Sequence, residues 1–293
     1  MAKKEDRNLI IGLDIGTSKI VALVGEIKAD GQLEIVGVGK HPSTGLKRGV
    51  VVNIEATVQS IQRAVEEAEL MSGCNIRSVY AGIAGSHVRS LNSHGIVAIK
   101  ESEVTQFDVD RVIDAAKAVA IPADQQILHI LPQEFNIDHQ GGIHEPIGMS
   151  GVRLEANVHI VTGAVSAAQN IKKSVKRCGL EASDIILEQL ASSHAVLTED
   201  EKELGVRHTS VIPIAGDQVT NDIAMALRTP TKSAEEIKKQ YAAVLTHKAS
   251  SNQMIEVPSV NDRPCRKVST KALADVVSAR YEELLTLVKH ELD

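Results

Sequence analysis

Two apolar runs, residues 9–13 and 20–27, flank the polar hexapeptide Asp14-Ile15-Gly16-Thr17-Ser18-Lys19. Both runs are too short for buried helices, and a polar, glycine-containing bend between them predicts a buried β-hairpin. Such a hairpin must be covered by further sheet and helix. Residues 33–38, bounded by Asp30-Gly31 and Gly39, supply a third strand and an antiparallel start. From Ile54, apolar residues recur at Val58, Ile61, Val65, Ala68 and Met71. These three- and four-residue steps predict one amphipathic helix, with Gly73 placed to end it.

Further along, residues 78–84 read as a strand and 96–99 as another, after a turn at Ser93-His94-Gly95. Residues 108–120 read as a helix stopped by Ile121-Pro122, which leads into the Pro- and Gly-rich stretch 131–151, and pairing and loops dominate this middle third. A strand at 156–162 leads to a helix that Ser166 would cap, with Ala167, Ile171, Val175 and Cys178 on its face and Gly179 at its end. A short strand at 185–187, a helix at 188–197, a strand at 209–214 and helices at 217–227, 233–246 and 271–292 follow. The fold class is therefore α/β with an α+β middle third.

Composition narrows the function. The 293 residues carry 32 Lys+Arg against 38 Asp+Glu, a net charge of −6, with no Trp and few aromatics. A basic nucleic-acid groove with stacking platforms is not expected. Cys74, Cys178 and Cys265 lie far apart without a Cys-x-x-Cys pair, so neither a disulfide framework nor a zinc site is indicated, and a reducing cytoplasm fits. The longest stretch without Asp, Glu, Lys or Arg, residues 156–171, is too short and polar for a membrane span, and Asp14 interrupts the apolar run that a signal peptide would need. The 11 histidines show no zinc-enzyme spacing.

The hexapeptide is the sharpest chemical signal. A bend of this kind can aim consecutive backbone N–H groups at an anion, with Thr17, Ser18 and Lys19 adding donors and charge. Asp14 at its mouth would hold a hydrated Mg²⁺ that bridges phosphates. An ordinary polar hairpin turn has the same composition.

With its flanks, Leu9-Ile10-Ile11-Gly12-Leu13-Asp14-Ile15-Gly16-Thr17-Ser18-Lys19-Ile20 resembles the first phosphate motif of the actin, sugar-kinase and heat-shock-chaperone superfamily. Residues 45–53 (Gly-Leu-Lys-Arg-Gly-Val-Val-Val-Asn), Ile83-Ala84-Gly85-Ser86-His87, Ile214-Ala215-Gly216-Asp217 and Ala234-Glu235-Glu236-Ile237-Lys238 resemble the FtsA family of bacterial cell-division proteins, over nearly the whole chain. The resemblance implies an actin-like, ribonuclease-H-like two-lobe fold: residues 1–85 plus 163–206 as first-lobe core, 86–162 as an inserted subdomain, and 207–293 as a partial second lobe. It implies ATP and Mg²⁺ bound between lobes, with ATP a polymerisation cofactor and at most a weak ATPase activity. Asp14, Gly16, Thr17, Ser18 and Lys19 carry over as phosphate and magnesium contacts, Gly216 as the glycine beside the nucleotide, and Glu235 and Lys238 as the pair near adenosine. Glu188 matches the polar residue near the attacking water, with a capping or surface role as its alternative. The implied partners are the tail of the tubulin-like FtsZ on the second lobe, further copies in a head-to-tail polymer, and later division proteins on the inserted subdomain. The implied location is the inner face of the cytoplasmic membrane at the division site.

The sequence departs from that pattern at one internal point. The superfamily's second phosphate hairpin, Asp-x-Gly-x-Gly-Thr, has no counterpart: Val206 runs into Arg207-His208-Thr209, and about 20 family positions are missing. Removing a central hairpin would leave neighbouring strands unpaired, so a natural deletion of that hairpin is not expected. The glycine-rich adenosine motif and the amphipathic membrane helix also lack counterparts in residues 1–293. A nucleotide-independent scaffold of the pilus-assembly type and a sugar kinase are the competing readings. The kinase lacks a visible carboxylate base with a sugar pocket.

Overall fold

The two apolar runs form the strands expected of them. In a computed structural model that describes residues 8–203, 206, 208–212, 214–249, 253–259 and 264–292, β1 (Leu9–Ile15) and β2 (Lys19–Ile27) pair antiparallel with Ile15 opposite Ile20. The N-terminal residues 1–7 and Arg207, on which the expected join falls, lie outside the described residues. The chain separates into two compact units, Met1–Val211 and Ile212–Asp293.

In the first unit, β3 (Leu33–Pro42) continues the sheet antiparallel, and a small hairpin of β4 (Leu46–Lys47) and β5 (Val50–Val51) precedes α1 (Ile54–Ser72). Asn53 caps α1 by accepting the Ala56 N–H at 3.1 Å, and Gly73 ends it with φ +67°. Val58, Ile61, Val65 and Ala68 are buried as expected, whereas Met71 is 62% exposed. The helix lies close on β3: a Cβ on Gly39 would sit 1.8 Å from the Ala64 carbonyl oxygen, so only glycine fits there.

β6 (Ser78–Ile83) joins β1 in parallel, and the chain then leaves the sheet for β7 (Arg89–Ala98), α2 (Gln106–Lys117), β8 (Gln125–Ile137), β9 (Gln140–Ile143) and β10 (Arg153–Ala164). It returns with α3 (Val165–Arg177) and β11 (Glu181–Leu187). The resulting sheets are β11-β6-β1-β2-β3 and β7-β10-β8-β9. On the first, Leu13, Ile20, Ala81 and Ile83 form one core with Ile61 and Ala64 of α1 and Ile171 and Val175 of α3. On the second, Leu154, Ala156, Val158 and Ile160 pack with Val109, Val112 and Ala116 of α2.

Three local expectations are corrected. Ser93-His94-Gly95 is interior to β7 rather than a turn, because Gly95 makes room for α2: a Cβ there would lie 2.2 Å from the Val112 carbonyl oxygen. In the stretch 131–151 the expected pairing is supplied by β8 and β9, and β8 tolerates Pro132 at a register shift opposite Asn157 and Val158. Ser166 does not cap α3, which follows Ala164 without a side-chain cap. Residues 208–212 and 214 form no strand. Val206 and Val211 instead pack against Val88, Val161, Leu187 and Leu190.

After α4 (Glu188–Val196) and α5 (Glu199–Glu203), the second unit consists of α6 (Gly216–Ala226), α7 (Thr231–Tyr241), the hairpin of β12 (Met254–Val257) and β13 (Arg266–Ser269), and α8 (Thr270–Leu292). Ile223, Ala234, Ile237, Val257 and Leu273 form its core. Arg280 of α8 grips Asp222 of α6 with both carboxylate oxygens engaged, at 2.6 and 3.0 Å.

Candidate functional site

The face of the five-stranded sheet away from α1 and α3 carries the chemistry of the first unit. Successive strand residues point to opposite faces, so Gly12 and Asp14 look away from the core that holds Leu13 and Ile15. A cleft of about 360 Å³ lies there, lined by Asp14, Leu23, Tyr80, Gly82 and Ile186 from the strands and by Glu188, Ala191 and Ser192 from α4. Glu188 is the first residue of α4 and does not cap it. Its carboxyl faces Asp14 at hydrogen-bonding range, and burial together with the Asp14 charge pushes it up to about 7. Burial also raises Asp14, while the hydrogen bond to Glu188 and the charge of Lys19 oppose that rise. The pair can therefore share one proton near neutral pH.

Glycines shape both members of this arrangement. A Cβ on Gly16 would lie 2.9 Å from the Lys19 carbonyl oxygen, which fixes glycine at the bend, and one on Gly82 would lie 2.9 Å from Glu188 Cγ. Within the bend, Thr17 Oγ1 accepts the Gly49 N–H at 2.9 Å, and the Ser18 carbonyl accepts the Ser43 N–H at 3.1 Å. Ser18 and Lys19 are exposed. The structure thus brings Asp14 and Glu188 together beside the bend that the sequence singled out. Gly82 and Gly49 escaped the sequence reading as site residues, since nothing in local spacing shows which backbone a side chain will approach.

The second unit gathers Gly216, Glu235 and Lys238. Lys238 Nζ lies 2.6 Å from Glu235 Oε2 and donates to the Gly216 carbonyl at 3.0 Å and to Thr220 Oγ1 at 2.7 Å. Thr220 Oγ1 in turn donates to Glu235 Oε2 at 2.5 Å, and Lys239 Nζ lies 3.3 Å from Glu235 Oε1. Hydrogen bonds from Lys238 and Thr220 hold Glu235 down at about 2. Thr220, one turn beyond Gly216, is the member that sequence reasoning missed. Among the described residues, no three His, Cys, Asp or Glu side chains gather where they could hold a metal, and no helix is long and apolar enough to cross a membrane.

Comparison with known proteins identifies the lineage. The family model "SHS2 domain inserted in FTSA" matches residues 85–162, and the model "Cell division protein FtsA" matches residues 195–293. The cell division protein FtsA of Pseudomonas aeruginosa is 64% identical over 312 aligned positions, covering 100% of this chain and 75% of the relative. The chain belongs to the cell division protein FtsA family. FtsA of Neisseria meningitidis is 50% identical, covering 99% of this chain and 75% of the relative, and FtsA of Escherichia coli K12 is 46% identical, covering 100% and 74%. The Pseudomonas alignment spans 312 positions against 293 residues, so no fewer than 19 of its positions lack a residue here.

Solved structures fix the fold as actin-like. The PilM–PilN type IV pilus biogenesis complex superposes with a TM-score of 0.63 at 14% identity, covering 97% of this chain and 76% of that one. MreB5 of Spiroplasma citri bound to AMPPNP gives a TM-score of 0.53 at 16% identity, covering 99% and 79%.

Proposed function

We propose that this chain is an actin-like division protein that binds ATP with Mg²⁺ as a conformational and polymerisation cofactor and links FtsZ filaments to the inner face of the cytoplasmic membrane. The observation that carries the nucleotide part is the half-buried Asp14–Glu188 pair beside the glycine bend. Two neighbouring carboxyls that burial raises, one of them raised further by the charge of the other, make a place where a divalent cation is favourable. Two protein oxygens suffice for Mg²⁺, which keeps most of its waters and takes further oxygens from phosphate. Bound there, the ion would offset charge on phosphate oxygens. Asp14 would hold it through its waters, the N–H groups of residues 16–18 and the Lys19 ammonium would meet phosphate, and ionised Glu188 would accept a proton from water. Gly216, Glu235 and Lys238 would serve the adenosine side. On this reading the FtsZ tail docks on residues 207–293, further copies and later division proteins meet residues 86–162, and the membrane is reached through an amphipathic helix.

A second reading rests on the single glycine hairpin: a nucleotide-independent scaffold that keeps the FtsZ link. Titrating the full chain with a fluorescent ATP analogue, with and without Mg²⁺, and with a peptide from the C-terminus of FtsZ separates the two. Mg²⁺-dependent nucleotide binding, weakened about tenfold or more in Asp14→Ala, supports the first reading. Peptide binding without nucleotide binding selects the scaffold, and failure of both overturns both.

A further inference from the structure

One side chain connects the inserted sheet to the carboxylate pair. His129 stands on β8, opposite Val161 of β10, and its Nε2 accepts the Leu187 N–H at 2.9 Å. Leu187 closes β11 and immediately precedes Glu188, at a helix start with no side-chain cap. A ring nitrogen that accepts an N–H carries a lone pair, so His129 is neutral with its proton on Nδ1. Burial favours that neutral form, while the charge of Asp184 on β11 opposes it. From the opposite side, Gly82 leaves the space that the Glu188 side chain fills. The backbone at Glu188 is thus held by the inserted sheet, and its side chain is bounded by β6.

We propose that His129 is a positioning residue for Glu188: through the bond to Leu187, the inserted sheet sets where this carboxylate stands relative to Asp14. Binding or movement at the inserted sheet then alters the site without touching it. The role in turnover rests on the nucleotide reading above, whereas the link from β8 to the start of α4 does not. A second imidazole supplies an internal control. His87 Nδ1 accepts the Ala164 N–H at 3.4 Å where β10 passes into α3, a bond at the junction of the two sheets that does not involve Leu187.

The test uses the full chain with His129→Leu, which removes the acceptor, His129→Gln, whose amide oxygen can accept the same N–H, and His87→Leu. Hydrogen exchange at the Leu187 amide, the thermal midpoint, and kcat and KM for Mg²⁺-dependent ATP hydrolysis are measured for each. In His129→Leu, exchange at Leu187 rises about tenfold and kcat falls about tenfold with KM within about twofold, the scale of one neutral hydrogen bond. His129→Gln restores both to within about threefold, and His87→Leu leaves both near the parent. A folded His129→Leu with parental exchange and kcat overturns the proposal, as does a His129→Gln as impaired as the leucine variant. Should His129→Leu fail to fold, the proposal stands or falls on whether His129→Gln keeps parental values. A parent that hydrolyses no ATP refutes the nucleotide reading instead, and exchange at Leu187 still decides whether His129 holds the start of α4.

Discussion

The two units keep their charges in opposite states. In the first, Asp14 and Glu188 face one another, half-buried, and Glu188 is pushed up to about 7. In the second, Glu235 is held at about 2 by Lys238 and Thr220. One cluster carries an electrostatic cost that a cation would relieve; the other has closed its own circuit. A carboxylate's value to a site therefore depends less on its presence than on what already answers it.

That contrast can be broken most forcefully at Gly82. Replacing it with valine places atoms where Glu188 Cγ now lies, and the expected loss is about 2–3 kcal/mol in urea unfolding of the full chain; an unchanged midpoint would mean that Glu188 is not confined. Next comes Glu188→Gln. Because the folded value of Glu188 lies above its ordinary 4.5, its contribution is greatest below 4.5 and is lost as pH rises through about 7. The amide should stabilise the chain at pH 8 on the order of 1–2 kcal/mol, with the gain fading by pH 5, as urea midpoints at the two pH values would show.

The second unit should respond with the opposite sign. Glu235 is lowered, so its contribution is present above 4.5 and is lost as pH falls toward 2. Glu235→Gln should cost about 1 kcal/mol at pH 7, a figure discounted because the side chain is 34% exposed, and almost nothing at pH 2. Thermal melts across that range test the sign. Smallest of all is Gly216→Ala. Its Cβ would meet only the flexible end of Lys238 at 3.4 Å, so the midpoint should correspond to a change within about 0.5 kcal/mol.

Local patterns were legible where the chain itself sets them. The bend at Gly16, the periodic face of α1 with its stop at Gly73, and the helices α6 and α8 follow from spacing and turn chemistry alone. What failed depended on distant partners. Gly95 resembles a turn residue in sequence and is a seat for α2 in space, and residues 209–214 have a strand's composition, yet 209–212 and 214 form none. For the site, Asp14 was readable from its place at the bend. Glu188 was reachable only through family resemblance, because its chemistry arises from burial beside a carboxylate far away in sequence. Gly82, Thr220 and His129 act across elements and leave no local trace.

The pairing of Arg89 with Thr162 has a further consequence. Arg89 opens β7, and Thr162 stands near the close of β10, so a whole subdomain departs and returns at points about 5 Å apart, the separation of facing residues on adjacent strands. The host sheet experiences this excursion as it would a tight turn. Loop closure is met by the β7–β10 ladder itself and makes no demand on the host core, whatever the length in between. A few residues could join the same two points without shifting the register of any host strand. The inserted piece is thus joined to the host strands at one seam, and exchanging it leaves their register intact so long as an acceptor for the Leu187 N–H is kept where His129 supplies one.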